Sequence, residues 1–176
     1  MNKSILMPSA LLACAALSFA GNPKSPSAQA SVTIAGKAIT IKYSAPSLRG
    51  RQMFGEGGQV SKDPTYPAWR TGADDATTLH TDADLVIGGL AVPKGDYTLY
   101  TLVNVSPWKL IINKQTGQWG TDYDVKQDLG RVAMTVTKPA APIETFKITL
   151  SSAGGNKGKL QMEWENVIAS VPVTVK

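Results

Sequence analysis

The sequence predicts an all-β fold, a single-domain antiparallel β-sandwich or flattened barrel of about ten strands. Three observations lead there. Apolar and polar residues alternate with period two in short blocks, the blocks end on Gly, Pro, Asn or Asp, and helical periodicity is almost absent. The 176 residues are 43% hydrophobic and 18% charged, a globular composition.

In chain order, the first strand is Val32 to Ile34 and the second places Ile39, Ile41 and Tyr43 on one face against Thr40, Lys42 and Ser44. Thr77 to Thr81, Asp84 to Ile87, Tyr97 to Val103 and Trp108 to Asn113 follow. Val132, Met134 and Val136 then form one alternating strand, and Phe146, Ile148 and Leu150 another. Leu160, Met162 and Trp164 alternate with Lys159, Gln161, Glu163 and Glu165, and Val167 to Val175 closes the domain. Gly88-Gly89 and Gly154-Gly155-Asn156 supply the positive φ that tight hairpins require. Pro172 lacks the amide a central strand would donate, which points to an edge. Pro93-Lys94-Gly95-Asp96-Tyr97 has the pattern of a tyrosine corner, with Tyr97 bonded back to the preceding turn.

Residues 1–30 read as a signal peptide. Lys3 begins a short basic region, Ile5 to Ala20 is nearly all apolar, and small-x-small sites allow cleavage after Ala20 or Ala30. About 16 apolar residues broken by Pro8 fall short of the roughly 20 that span a bilayer. The remaining 31–176 form one domain, exported to the periplasm or the extracellular space. Cys14, the single cysteine, lies within the leader; Leu11-Leu12-Ala13-Cys14 is a weak lipoprotein box, because the apolar run continues through Phe19. Cleavage at either site removes Cys14, and with it disulfides, thiol catalysis and Cys-ligated zinc.

Without Lys3 and Lys24, 16 of the 18 basic residues remain beside 13 acidic ones, a formal charge of +3. The excess is small and dispersed, densest at Arg49-Gly50-Arg51, which argues against a nucleic-acid partner. No later stretch spans a membrane, and the oligomeric state leaves no trace in the sequence.

Several blocks in fixed order carry a family resemblance: Tyr43-Ser44-Ala45-Pro46-Ser47-Leu48-Arg49-Gly50-Arg51, Phe54-Gly55, Trp69-Arg70-Thr71-Gly72-Ala73-Asp74-Asp75-Ala76-Thr77, Pro93-Lys94-Gly95-Asp96-Tyr97, Asn113-Lys114, Gln118-Trp119-Gly120-Thr121-Asp122-Tyr123 and Trp164-Glu165-Asn166. Together they resemble the bacterial domain-of-unknown-function family 2911. The resemblance implies an exported, single-domain bacterial protein and carries over no catalytic residue. Gly57 to Pro67 departs from it, with Ser61-Lys62-Asp63-Pro64-Thr65-Tyr66 where a short hydrophobic run is expected.

No catalytic set is recognisable. His80 is the sole histidine, on a Thr-rich strand, and no GxSxG turn accompanies it, so it reads as a strand-surface residue. Glu163 and Glu165 share a strand face about 7 Å apart, within the roughly 5 to 10 Å of glycosidase carboxylates, but also fit the wet side of an amphipathic strand. Asp74-Asp75 and Asp122, Asp124 and Asp128 could offer oxygen to calcium, yet lack EF-hand spacing and suit turn caps. No metal or cofactor is expected.

The loops are more informative. Trp69-Arg70 precedes a Gly-Ala-Asp-Asp turn, and Trp119 and Tyr123 flank Asp122 in a Gly-containing connection. Such a Trp either plugs the end of the sandwich or offers a flat platform for a sugar or similar small molecule. Arg70 either pairs with Asp74 or Asp75 or holds a ligand carboxylate. The candidate ligand residues are therefore Trp69, Arg70, Asp74, Trp119, Asp122 and Tyr123. They suit a non-enzymatic exported binding or structural module. The alternative is a periplasmic hydrolase, on glycans for example, working through Asp74, Asp75, Asp122 or Glu165. A third reading gives the aromatic blocks only the task of holding the sandwich together.

Overall fold

The computed structural model describes residues 24–176. The expected leader through Ala20, with Cys14, lies outside the described residues. Two antiparallel sheets pack face to face with no closed barrel, so the sandwich alternative is the observed one. The first sheet orders β1 (Ser27–Ile34), β2 (Lys37–Ser44), β4 (Thr78–Thr81), β7 (Gly95–Leu102), β8 (Lys109–Asn113) and β9 (Asp128–Ala133), with the two-residue β3 (Ala68–Trp69) on β7. The second orders β11 (Ile143–Gly154), β12 (Lys157–Glu165), β13 (Val167–Val175), β5 (Leu85–Ile87) and β6 (Leu90–Val92), with β10 (Thr135–Thr137) on β13.

The alternation seen in sequence becomes the core. Ile39, Ile41 and Tyr43, with Leu99, Leu110 and Ile112, point from the first sheet onto Phe146, Ile148, Leu160, Met162, Trp164, Val171 and Val173 of the second. The Ile148 amide donates to the Tyr43 hydroxyl at 3.1 Å, so the phenol's polar end is satisfied across the layers. The Tyr97 hydroxyl donates to the Pro93 carbonyl at 2.8 Å, completing the tyrosine corner. Gly88 and Gly89 take φ +55° and +93° in the β5–β6 hairpin.

Four expectations are corrected. Thirteen strands stand among the described residues instead of about ten, because β3 and β6 are too short for a periodicity signal. The block Val132 to Val136 is not one strand. The chain leaves the first sheet after Ala133 and enters the second at Thr135; Met134 stays buried at the crossing with its amide on the Trp108 carbonyl, and Val136 is exposed. Pro172 is not on an edge. On one side β13 pairs throughout with β12, and on the other β10 covers Ile168 to Ser170 and β5 covers Val173 to Val175. Pro172 sits in that gap, where its carbonyl accepts from Gly88 and no amide is required. Finally, β1 begins at Ser27 and Ala30 is already buried, so the strand starts before residue 31.

Both faces of β7 are covered. Tyr100 and Leu102 face outward with Ile111 of β8, and Ala68 and Tyr123 close over them in a small second cluster.

Candidate functional site

Residues from five stretches of chain line a cleft of about 420 Å³: Ser25 and Pro26, Pro46 to Met53, Gln59 to Asp63, Trp69 to Asp74, and Trp164. Its first wall turns on Arg49, a non-glycine residue at φ +49° whose amide donates to Glu144 Oε1 at 2.9 Å. The Arg51 guanidinium donates to the carbonyls of Leu48 and Ser47 at 2.9 and 2.8 Å, which ties the turn to itself. The segment is docked on β11 by Leu48 N–H to the Glu144 carbonyl and Phe146 N–H to the Pro46 carbonyl. Glu165, at φ +51° in the β12–β13 hairpin, accepts from the Met53 and Phe54 amides at 3.2 and 3.1 Å and fixes where the wall ends.

Trp69 and Trp164 form the floor. Trp69 is 2% exposed and its indole N–H donates to the Gly72 carbonyl at 3.2 Å. It stacks on Trp164 and meets Phe54 and Phe146 edge-on. Of the two readings of Trp69, the geometry is that of the plug, with only a rim on the cleft.

Arg70 stands beside it, paired with neither Asp74 nor Asp75. Its Nε and Nη2 both reach Asp63 Oδ2 at 2.9 Å. Asp63 comes from the stretch that departs from the family resemblance, where a 3₁₀ turn (Gln59–Lys62) hands it to the cleft and its Oδ1 takes Thr65 N–H and hydroxyl. Gly120 seals the other side: a Cβ there would lie 2.6 Å from both Arg70 Cδ and the Asp74 carbonyl oxygen. The Gln-Trp-Gly block thus touches the Trp-Arg block through a close approach that only glycine permits.

Of the six residues proposed from sequence, Trp69, Arg70 and Asp74 line the cleft, and Trp119 adjoins it through Gly120 and an antiparallel bridge to Asp75. Asp122 is exposed, its amide on the Trp119 carbonyl. Tyr123 turns away: its ring packs on Tyr100 at 4.5 Å and its hydroxyl bonds both oxygens of Asp128. Burial, then the hydrogen bond to Asp128, pushes the Tyr123 phenol up to about 12. Sequence reasoning passed over Arg49, Arg51 and Asp63 as site residues. For Asp63, the Asp-Pro-Thr pattern of an Asx turn was the available signal.

Several of the remaining carboxylates are occupied by local structure. Glu163 meets Lys147 and Gln161 while Glu165 serves the 53–54 amides, so the two do not act on one point. Asn113 is fully buried and bridges the Asp124 carbonyl and Asp128. His80 lies on the strand surface as read from sequence, its Nδ1 2.7 Å from Asp96 and its Nε2 3.1 Å from Asp82. Among the described residues, no three of His, Cys, Asp and Glu come together as a metal set, and no helix is long and apolar enough to cross a membrane. A second hollow, about 460 Å³, lies along β1, β2 and β4, lined by Gln29, Lys42, Tyr43 and Thr78 with Asp75 and Ala76 from the connection that leads into β4.

The fold and site define an antiparallel β-sandwich with a polar, arginine-bearing cleft over an aromatic floor. The chain belongs to the family described as Protein of unknown function (DUF2911), whose model matches residues 25–173. No curated protein and no solved structure matches it.

Proposed function

We propose that this is an exported, non-enzymatic binding module that takes a small polar molecule in the cleft between Arg49, Arg51, Arg70 and the Trp69 rim. The observation that carries the reading is the construction of that cleft. Three guanidinium-bearing residues from two loops share one half-enclosed hollow, and two of the three are held by hydrogen bonds, Arg51 to the Leu48 and Ser47 carbonyls and Arg70 to Asp63. Such preorganisation lowers the ordering cost of binding, and guanidinium groups favour carboxylate, phosphate or the hydroxyl pairs of a sugar. Export with cleavage after Ala20 fits the same reading, because it leaves β1 whole.

Two of the four carboxylates named for the hydrolase alternative are already engaged. Asp74 Oδ2 takes the Ser25 amide, and Glu165 is spent on two backbone amides. A thermal-shift screen of the purified protein against small carboxylates, phosphates and sugars tests the proposal. A hit at 100 times its Kd adds about 2.7 kcal/mol, a shift of several degrees. The shift is expected to vanish in Arg49→Gln, and a hit unaffected by that change would place binding elsewhere.

A further inference from the structure

Beyond the cleft, the exposed ring of Trp119 already carries an occupant. Lys24 Nζ lies 5.4 Å from the ring centroid. The next residue, Ser25, donates its amide to Asp74 Oδ2 at 2.8 Å, and the Pro26 carbonyl accepts from Ala45 N–H at 2.8 Å. Three consecutive residues are thus held, Lys24 at Trp119, Ser25 at Asp74 and Pro26 at Ala45. The backbone beneath the ring is fixed: Trp119 pairs with Asp75 in an isolated bridge, Gly120 N–H donates to the Asp74 carbonyl at 3.0 Å, and Asp122 N–H donates to the Trp119 carbonyl at 2.9 Å. Yet Trp119 remains 40% exposed, one of four large apolar side chains exposed among the described residues.

We propose that Trp119 with Asp74 and Asp75 forms a corner that binds a small primary ammonium compound, and that Lys24–Ser25 occupies it as a tethered self-ligand. An indole face attracts a cation through its quadrupole more strongly than any other side-chain ring, and the two neighbouring carboxylates give the corner a negative field. A tethered lysine competes with an external amine at the effective concentration its short tether sets. The corner then responds to free amine only once the strap is displaced. Asp74 and Ser25 also line the arginine cleft but Trp119 and Asp75 do not, so the readout is taken at the Trp119 indole and the carboxylate variant at Asp75.

The test is a titration of the whole protein and of Lys24→Ala with n-butylammonium, which reproduces the lysine tip, followed at the Trp119 indole N–H resonance. That resonance is assigned by its loss in Trp119→Phe. A saturable shift is expected in Lys24→Ala, with two- to five-fold weaker binding in the native sequence, the factor an exposed cation–π contact supplies. Asp75→Asn in the Lys24→Ala background should weaken the binding, and n-butanol and butyrate should leave the resonance in place. Equal affinity in both proteins would overturn the self-ligand, no shift in either would overturn the ammonium corner, and an equal response to butanol would reduce it to an apolar contact.

Discussion

Trp69 of the first sheet and Trp164 of the second lie nearly parallel, their ring centroids 5.8 Å apart and their planes 18° from one another. Phe146 and Phe54 enclose the pair edge-on, so the cleft floor is also the end of the core. A core aromatic cut to alanine typically loses about 3–5 kcal/mol through transfer and cavity terms. Trp69→Ala is therefore expected to lower Tm by on the order of 10 °C, using roughly 2–4 °C per kcal/mol for a domain of this size. Calorimetry checks it, and a drop of only a degree or two would mean the ring is not packed as described.

The Asp63–Arg70 pair makes a second expectation. Both side chains are mostly withdrawn from water, 8% and 18% exposed, so removing one partner strands the other. Asp63→Ala should destabilise by about 2 kcal/mol, in the range for a buried group left unpaired. The double-mutant cycle with Arg70→Met should show a coupling of about 1 kcal/mol or more, measured by urea denaturation.

Glu165 holds two amides of the cleft wall. Glu165→Ala should cost about 1.5–3 kcal/mol and strip hydrogen-exchange protection from Met53 and Phe54, leaving β12 and β13 protected. Retained protection at those two amides would remove Glu165 from this role.

The single histidine gives a pH signature. The hydrogen bond to Asp96, then that to Asp82, raises the His80 pKa above its ordinary 6.5. Because the folded value is the higher one, the stabilisation is fully present below pH 6.5 and is lost as pH rises through the folded pKa. The His80 ring resonance should titrate above 6.5, and Asp96→Asn should lower its midpoint more than Asp82→Asn. The pair is exposed to solvent, so added salt should diminish the difference.

At alkaline pH, Tyr123 acts in the same direction. Its phenol is pushed up to about 12 in the folded chain, against an ordinary 10. The unfolded chain loses that proton first, so stability should fall between pH 10 and 12. Tyr123→Phe should flatten this part of the profile in urea denaturation followed across that range.

Much of the fold was legible because period two reports a strand with one wet face, as at Ile39, Ile41 and Tyr43 or Leu160, Met162 and Trp164. It failed where topology and not pattern decides. Val136 continues the alternation of Val132 and Met134 but belongs to another sheet, and Pro172 owes its tolerance to a gap between two short neighbouring strands. The site was half legible. Trp69-Arg70 and Gln118-Trp119-Gly120 were recognisable as loop blocks, but their contact at Gly120, and the partnership of Arg70 with Asp63 seven residues away, depend on backbone paths that no local pattern encodes. Tyr123 misled because an aromatic in a loop carries the same sequence signal whether it faces solvent or roofs an outward strand.

The most direct test of the account is an amide chemical-shift map of the labelled protein with the strongest hit from the small-molecule screen. The account expects saturable shifts concentrated at Arg49 to Arg51, at Gly72 to Asp74 and at the Trp69 indole N–H, with β1 and β2 unmoved. Shifts gathered instead along Gln29, Lys42 and Thr78, on the outer face of the first sheet, would contradict it.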